Sequence, residues 1–135
     1  MLCNFKPHGQ LQIHRDCQIL VSEIAGPWNI ELLELMRNAL TPYAAELRKN
    51  GRGGCITIIT ESMLSSPEAM IMLRKLVKSG VENFDFAGQA IIAEKNVIGR
   101  GLVEPIFYPA YKNQCPFQFF YDYDAAKFWL TELVA

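Results

Sequence analysis

Gly51-Arg52-Gly53-Gly54-Cys55-Ile56-Thr57-Ile58-Ile59-Thr60 is the stretch that decides the fold. A glycine-rich turn releases the chain into a short run of β-branched and apolar residues, which reads as a buried strand. Helical patterns stand on both sides of it. Upstream, Ile30, Leu33, Met36, Leu40, Tyr43, Ala44 and Leu47 recur with the 3.6-residue period of one helix face. Downstream, Ala69, Met70, Leu73, Leu76 and Val77 make a second apolar stripe. A strand set between two helices is reached and left by crossover connections, so the sheet it belongs to is largely parallel.

The punctuation around these helices is local and physical. Asn29 is placed to cap the first helix, with Glu31 near the positive end of its dipole. Pro42 lacks the N–H that a helix interior needs, which predicts a kink or break near Thr41. Arg48 and Lys49 suit the negative end. At the second helix, Ser65-Ser66-Pro67-Glu68 offers a capping box from Ser65 or a cap at Ser66 with Pro67 in the first turn. Proline pushes the residue before it into extended backbone, the conformation of a cap, so Ser66 is preferred. Lys78-Ser79-Gly80 is expected to end this helix.

Farther out, Leu11 and Ile13 alternate with polar neighbours, His14-Arg15-Asp16 offers a turn, and Gln18 to Ile24 runs apolar. That is an opening hairpin, closed by Gly26-Pro27. A strand is expected over Phe86 to Ala93 and another over Phe117 to Tyr121, before a closing helix capped by Asp124. Between them, Ile98, Leu102, Ile106 and Ala110 share a helix face that Gly99, Gly101, Pro105 and Pro109 weaken. The order is ββαβαβαβα. It implies one α/β domain over residues 1–135, with a mixed, mainly parallel sheet and about four helices.

Composition narrows the function classes. The 135 residues are one domain's length, and 50% of them are hydrophobic, enough for a core and against disorder. Thirteen basic and fourteen acidic side chains give a net charge of −1, which leaves no nucleic-acid footprint. No apolar run reaches the roughly 18 residues of a membrane span. The opening Met1 to Pro7 has no apolar core of a signal peptide, so a cytoplasmic location is expected. Cys3, Cys17, Cys55 and Cys115 form no C-x-x-C pair, and Cys55 reads as a small buried hydrophobe.

Chemistry-bearing patterns are few. Phosphate-binding loops place glycines after a strand and before a helix, whereas Gly51 to Gly54 stand after a helix and before a strand. Gly99-Arg100-Gly101 is too short for a fingerprint. His8 and His14 are the two histidines, both near the N-terminus, and the serines Ser62, Ser65 and Ser66 lie outside any G-x-S-x-G elbow. Glu61, Glu68, Asp122 and Asp124 serve as caps or solvated turns. No catalytic residue, cofactor site or metal site is therefore assigned, and the expectation is a protein that is not an enzyme. The aromatic side chains Phe107, Tyr108 and Tyr111, flanked by Arg100 and Lys112, either pack an irregular helix on the sheet or form the candidate interaction or ligand surface, which Trp28 joins unless it staples the start of the first helix.

Read together, Gly26-Pro27-Trp28-Asn29 leading into the first helix and the ending Phe120-Tyr121-Asp122-Tyr123-Asp124-Ala125-Ala126-Lys127-Phe128-Trp129-Leu130 are familiar. From about Gly9 to Leu133 the chain resembles the SpoIIAA-like proteins, small bacterial domains of the STAS superfamily. The resemblance implies helices packed on a mainly parallel sheet and no cofactor. In the anti-sigma-factor antagonists of that superfamily, a serine in the pattern Asp-Ser-Ser-Gly at the start of the second helix is phosphorylated to control partner binding. Here Ser65 and Ser66 match that pattern as candidate regulatory phosphosites, while Leu64 replaces the acid and Pro67 the glycine. The resemblance implies a non-enzymatic regulatory or protein-interaction module, binding a protein partner or itself as a homodimer. The related CRAL-TRIO lipid carriers supply the rival: a carrier or sensor of a small apolar ligand or lipid, covered by Ile98 to Tyr111. An apolar-lined pocket favours the carrier, and a filled core beside an exposed aromatic patch favours the module.

Overall fold

The computed structural model describes residues 9–62, 66–93, 96–97, 101, 105, 108–109, 111–112 and 115–134. Within them the chain forms β1 (Gln10–Asp16), β2 (Ile19–Ala25), α1 (Ile30–Arg48), β3 (Gly54–Thr60), α2 (Pro67–Phe84), β4 (Gly88–Ala93), β5 (Phe117–Phe120) and α3 (Tyr123–Val134). The five strands lie in one sheet in sequence order, β1-β2-β3-β4-β5. β1 pairs antiparallel with β2, and the other three pairings are parallel. The α/β class and the mainly parallel sheet are as the sequence implies. Three helices are described; the expected fourth falls largely on residues 96–113, most of which lie outside the described residues.

Strand periodicity sorts the side chains between two layers. Ile19 and Val21 of β2, Ile56 of β3, and Ala90 and Ile92 of β4 face α3, where Ala126 and Leu130 complete the layer. Ile24, Ile59, Ile91 and Ala93 face the other way, under Leu32 and Leu33 of α1 and Ala69, Leu73 and Val77 of α2. The register puts Ser22 beside Thr57 and Gln89 beside Phe117, all on this second face.

Both early caps are as expected. Asn29 Oδ1 accepts from Leu32 N at 3.0 Å and Ser66 Oγ from Ala69 N at 3.1 Å, each from an extended backbone. Four local expectations need correction. α1 runs unbroken through Pro42, and the Thr41 hydroxyl donates to the Arg37 carbonyl at 2.8 Å in the turn where the proline removes a donor. α2 continues past Gly80 to Phe84, whose ring packs edge-on against Phe86 at 5.8 Å. It stops at Asp85, in the left-handed conformation with φ 49°. The closing helix begins at Tyr123 and is capped by Asp122, whose carboxylate accepts from Asp124 N and Ala125 N, both at 3.3 Å. The hairpin turns at Cys17 and Gln18, leaving His14 exposed within β1.

The glycine cluster is structural. Gly51 has φ +114°, open to glycine and strained for other residues. Gly53 lies so close to Leu47 that a side chain there would collide with it. Arg52 and Arg48 meet the Asp85 carboxylate at 3.1 and 3.3 Å, tying the turn to the end of α2. Among the described residues, no helix is long and apolar enough to cross a membrane.

Candidate functional site

The two helices on the second face do not fill the space above the sheet. A cavity of about 100 Å³ remains between them. Its floor is Ile24 of β2, Cys55, Thr57 and Ile59 of β3, and Gln89 and Ile91 of β4. α1 supplies Met36, Arg37 and Leu40, with Trp28 just ahead of that helix. α2 supplies Leu73, Leu76, Val77 and Ser79 from the opposite wall, followed by Phe84 and Phe86. Tyr111 and Cys115 complete the lining toward β5.

The floor's polar atoms are occupied with one another. Gln89 Nε2 donates to Thr57 Oγ1 at 3.1 Å and to the Ala90 carbonyl at 2.9 Å, and Ser22 Oγ lies 3.3 Å from the same threonine oxygen. Burial pushes the Cys55 thiol up to about 12, so at neutral pH this sulfur is a neutral wall and not a nucleophile. Cys115 is raised to about 11 for the same reason. Desolvation raises the Tyr111 phenol well above the ordinary tyrosine range, and Cys55 and Cys115 add to the shift. A space walled largely by aliphatic and aromatic carbon and neutral sulfur, over a floor whose polar side chains bond to one another, favours apolar occupants.

At the β5 end the wall is aromatic. Tyr111 stacks on Phe117 with ring centroids 4.7 Å apart and planes 7° from parallel. Tyr108 meets Phe117 edge-on at 5.3 Å and Phe119 at 5.6 Å. The strand's alternation sends Phe117 and Phe119 to the same face, so four rings cover the sheet's edge beside the cavity.

The structure divides the residues singled out in the sequence. Trp28 and Tyr111 line the same cavity, and Tyr108 is 50% exposed outside it. Trp28, 4% exposed, is packed at the start of α1 and lines the cavity, so of the two places the sequence allows it takes the buried one and not an exposed patch. It belongs to the buried cluster that includes Leu32, Leu33 and Leu73. Arg100 and Phe107 lie outside the described residues, as does Ser65. Ser66 is exposed at the start of α2, with its hydroxyl engaged as the cap.

Sequence reasoning read Met36, Leu40, Leu73, Leu76 and Val77 as core stripes and passed over Thr57 and Gln89. A stripe looks the same whether its space is filled or empty. The available signal was Gln89, a polar residue inside an otherwise apolar strand at a position that faces the helices.

No protein-family model matches the chain, and no curated protein matches it in sequence. Among solved structures, the chain is similar to an uncharacterised protein of the DUF3478 family with a SpoIIAA-like fold from Shewanella loihica PV-4. The match has a TM-score of 0.58 and 24% identity, and covers 96% of this chain and 99% of that one. The chain has a SpoIIAA-like fold.

Proposed function

We propose that this protein is a non-enzymatic carrier or sensor that takes a small apolar ligand between the sheet and helices α1 and α2. The cavity carries this reading. Interiors are close-packed, with few voids larger than a water molecule, so a space of about 100 Å³ with an apolar lining calls for an occupant. A cavity of roughly 150 Å³ lined by aliphatic and aromatic groups holds the six heavy atoms of benzene, so this one, at about 100 Å³, suits a body of about four heavy atoms. A short acyl-chain segment or a small branched hydrocarbon fits that description.

The alternative, a module that docks on a protein partner or a second copy, rests on a smaller base. Of its aromatic residues, Trp28 and Tyr111 take part in the cavity, and Tyr108 is the described one that is half exposed. A sensor reading joins the two, because the ring stack links the cavity wall to the outer Tyr108.

The test is extraction of the natively purified protein with organic solvent, followed by mass spectrometry, alongside the variant Val77→Phe. That substitution sets an aromatic ring into the wall of the cavity. The wild type is expected to release a small apolar compound that the folded variant lacks. Equal recovery from both, or failure of the wild type to bind any of a series of three- to five-carbon hydrocarbons, overturns the reading.

A further inference from the structure

Where α2 hands over to β4, the cavity wall passes from a helix to a short connection. Phe84 ends the helix and Gly88 begins the strand, and Phe84 and Phe86 both line the cavity while remaining partly exposed. Asp85 stands between them with a left-handed backbone, φ 49° and ψ 48°, which an aspartate holds at some cost. What holds it there comes from the end of α1 and the turn beyond. Arg48 Nη2 lies 3.3 Å from Asp85 Oδ2, and Arg52 Nη2 lies 3.1 Å from Oδ1. Arg52 also donates to the Asp85 and Phe86 carbonyls, both at 3.2 Å. Beyond the burial that raises it, the Cys115 thiol of the lining senses both Arg52 and Asp85, which sets these ion pairs beside the cavity. The side chains of Arg48, Arg52 and Asp85 are about half exposed, so water and salt compete for both pairs.

Resting on the reading of the cavity as a ligand site, we propose that Phe84-Asp85-Phe86 is the door of that site and that Arg48 and Arg52 latch it by gripping Asp85. Swinging this connection outward breaks exposed ion pairs and the bonds of one arginine, and leaves the sheet ladder and the bodies of both helices intact. Segments that open for ligands are drawn from the weakly held parts of a fold, and this one is weakly held. Phe84 and Phe86 pack edge-on at 5.8 Å and flank the gripped residue, so they move as a pair. Cys55 of the cavity floor pairs in register with Gln89, near the start of β4, and therefore lies at the same end of the sheet as the door. The latch is made of charge, so rising ionic strength releases it. Entry by parting α1 from α2 would instead separate apolar side chains such as Leu33 and Leu73, which salt does not favour.

Labelling of the buried Cys55 tests the door with no ligand present. Methyl methanethiosulfonate is small and uncharged, and mass spectrometry of peptides separates Cys55 from the exposed Cys17. Asp85→Asn removes the gripped charge and keeps a residue that tolerates the left-handed backbone. Cys55 is expected to react about fivefold faster in this variant than in the wild type, with amide exchange in β2 unchanged. Raising sodium chloride to about 1 M should speed Cys55 by a similar factor in the wild type and have little effect in the variant. Equal rates in the two proteins, or a wild-type rate indifferent to salt, overturn the door. So does a proportional rise in β2 exchange, which would mean that the whole fold has loosened. A saturating four-carbon hydrocarbon separates the door from the reading beneath it. Protection of Cys55 by the hydrocarbon together with equal rates leaves the ligand site standing and removes its door. Faster labelling of the variant without such protection keeps the door and removes the ligand.

Discussion

Asp16, at the end of β1, is where the first strand is tied to the closing helix α3. Tyr123 Oη donates to its carboxylate at 2.6 Å, and Lys127 Nζ lies 3.0 Å from the same oxygen, Oδ2. The tyrosine's hydrogen bond, and then that of the lysine, hold the Asp16 carboxyl below its ordinary value of 3.8. The sign of the pH effect follows. A carboxyl whose folded pKa is depressed contributes stability that is fully present above its unfolded value and is lost as pH falls through the folded one. The stability gap between wild type and Asp16→Asn should therefore be level from pH 5 to 8 and close below about pH 4. Tyr123→Phe removes the shortest bond and should cost about 1 kcal/mol at neutral pH, read by urea unfolding. A gap that stays constant to the lowest accessible pH would show that Asp16 is not held in its charged form. None of this was legible in the sequence, because the partners stand 107 and 111 positions apart.

At the scale of elements, legibility tracked how local the deciding interaction is. The N-termini of α1 and α2 were readable because Asn29 and Ser66 meet amides three residues on. The start of α3 lies two residues ahead of the expected cap: Asp122 holds the amides of Asp124 and Ala125, and Asp124 sits inside the helix as a dipole partner. Asp122→Ala should accordingly cost about 1 kcal/mol, and Asp124→Ala a few tenths. Equal losses in thermal unfolding would restore Asp124 as the cap. The far end of α2 was not readable, because Gly80 costs a helix only about 1 kcal/mol and the packing of Phe84 on Phe86 outweighs it. The mainly parallel character of the sheet was accessible through the alternation of helices and strands, whereas the order of its strands was not assigned from sequence. The cavity was not, since its emptiness depends on how far two helices stand from the sheet and not on which residues they carry.

For the molecule as a whole, the cavity is a stability reserve. Voids left by core truncation cost about 24 cal/mol per Å³, so about 100 Å³ corresponds to roughly 2 kcal/mol of packing that the empty protein forgoes. A ligand that binds only the folded chain supplies that packing, and the gain grows with its concentration. At one hundred times Kd the stabilisation is about 2.7 kcal/mol. Unfolding entropies near 2.1 cal/mol/K per residue convert this, for 135 residues, to a rise in Tm of about 9 °C. Calorimetry of the wild type against increasing concentrations of a four-carbon hydrocarbon should show that rise with a logarithmic dependence on concentration. Val77→Phe should show little response, and its ligand-free Tm should stay within a few degrees of the wild type, because the added ring occupies space instead of displacing neighbours. A variant that loses most of its stability would mean the space is too tightly walled to accept a ring. A wild-type Tm indifferent to every apolar probe would mean that the two helices close over the gap in solution and leave nothing to fill.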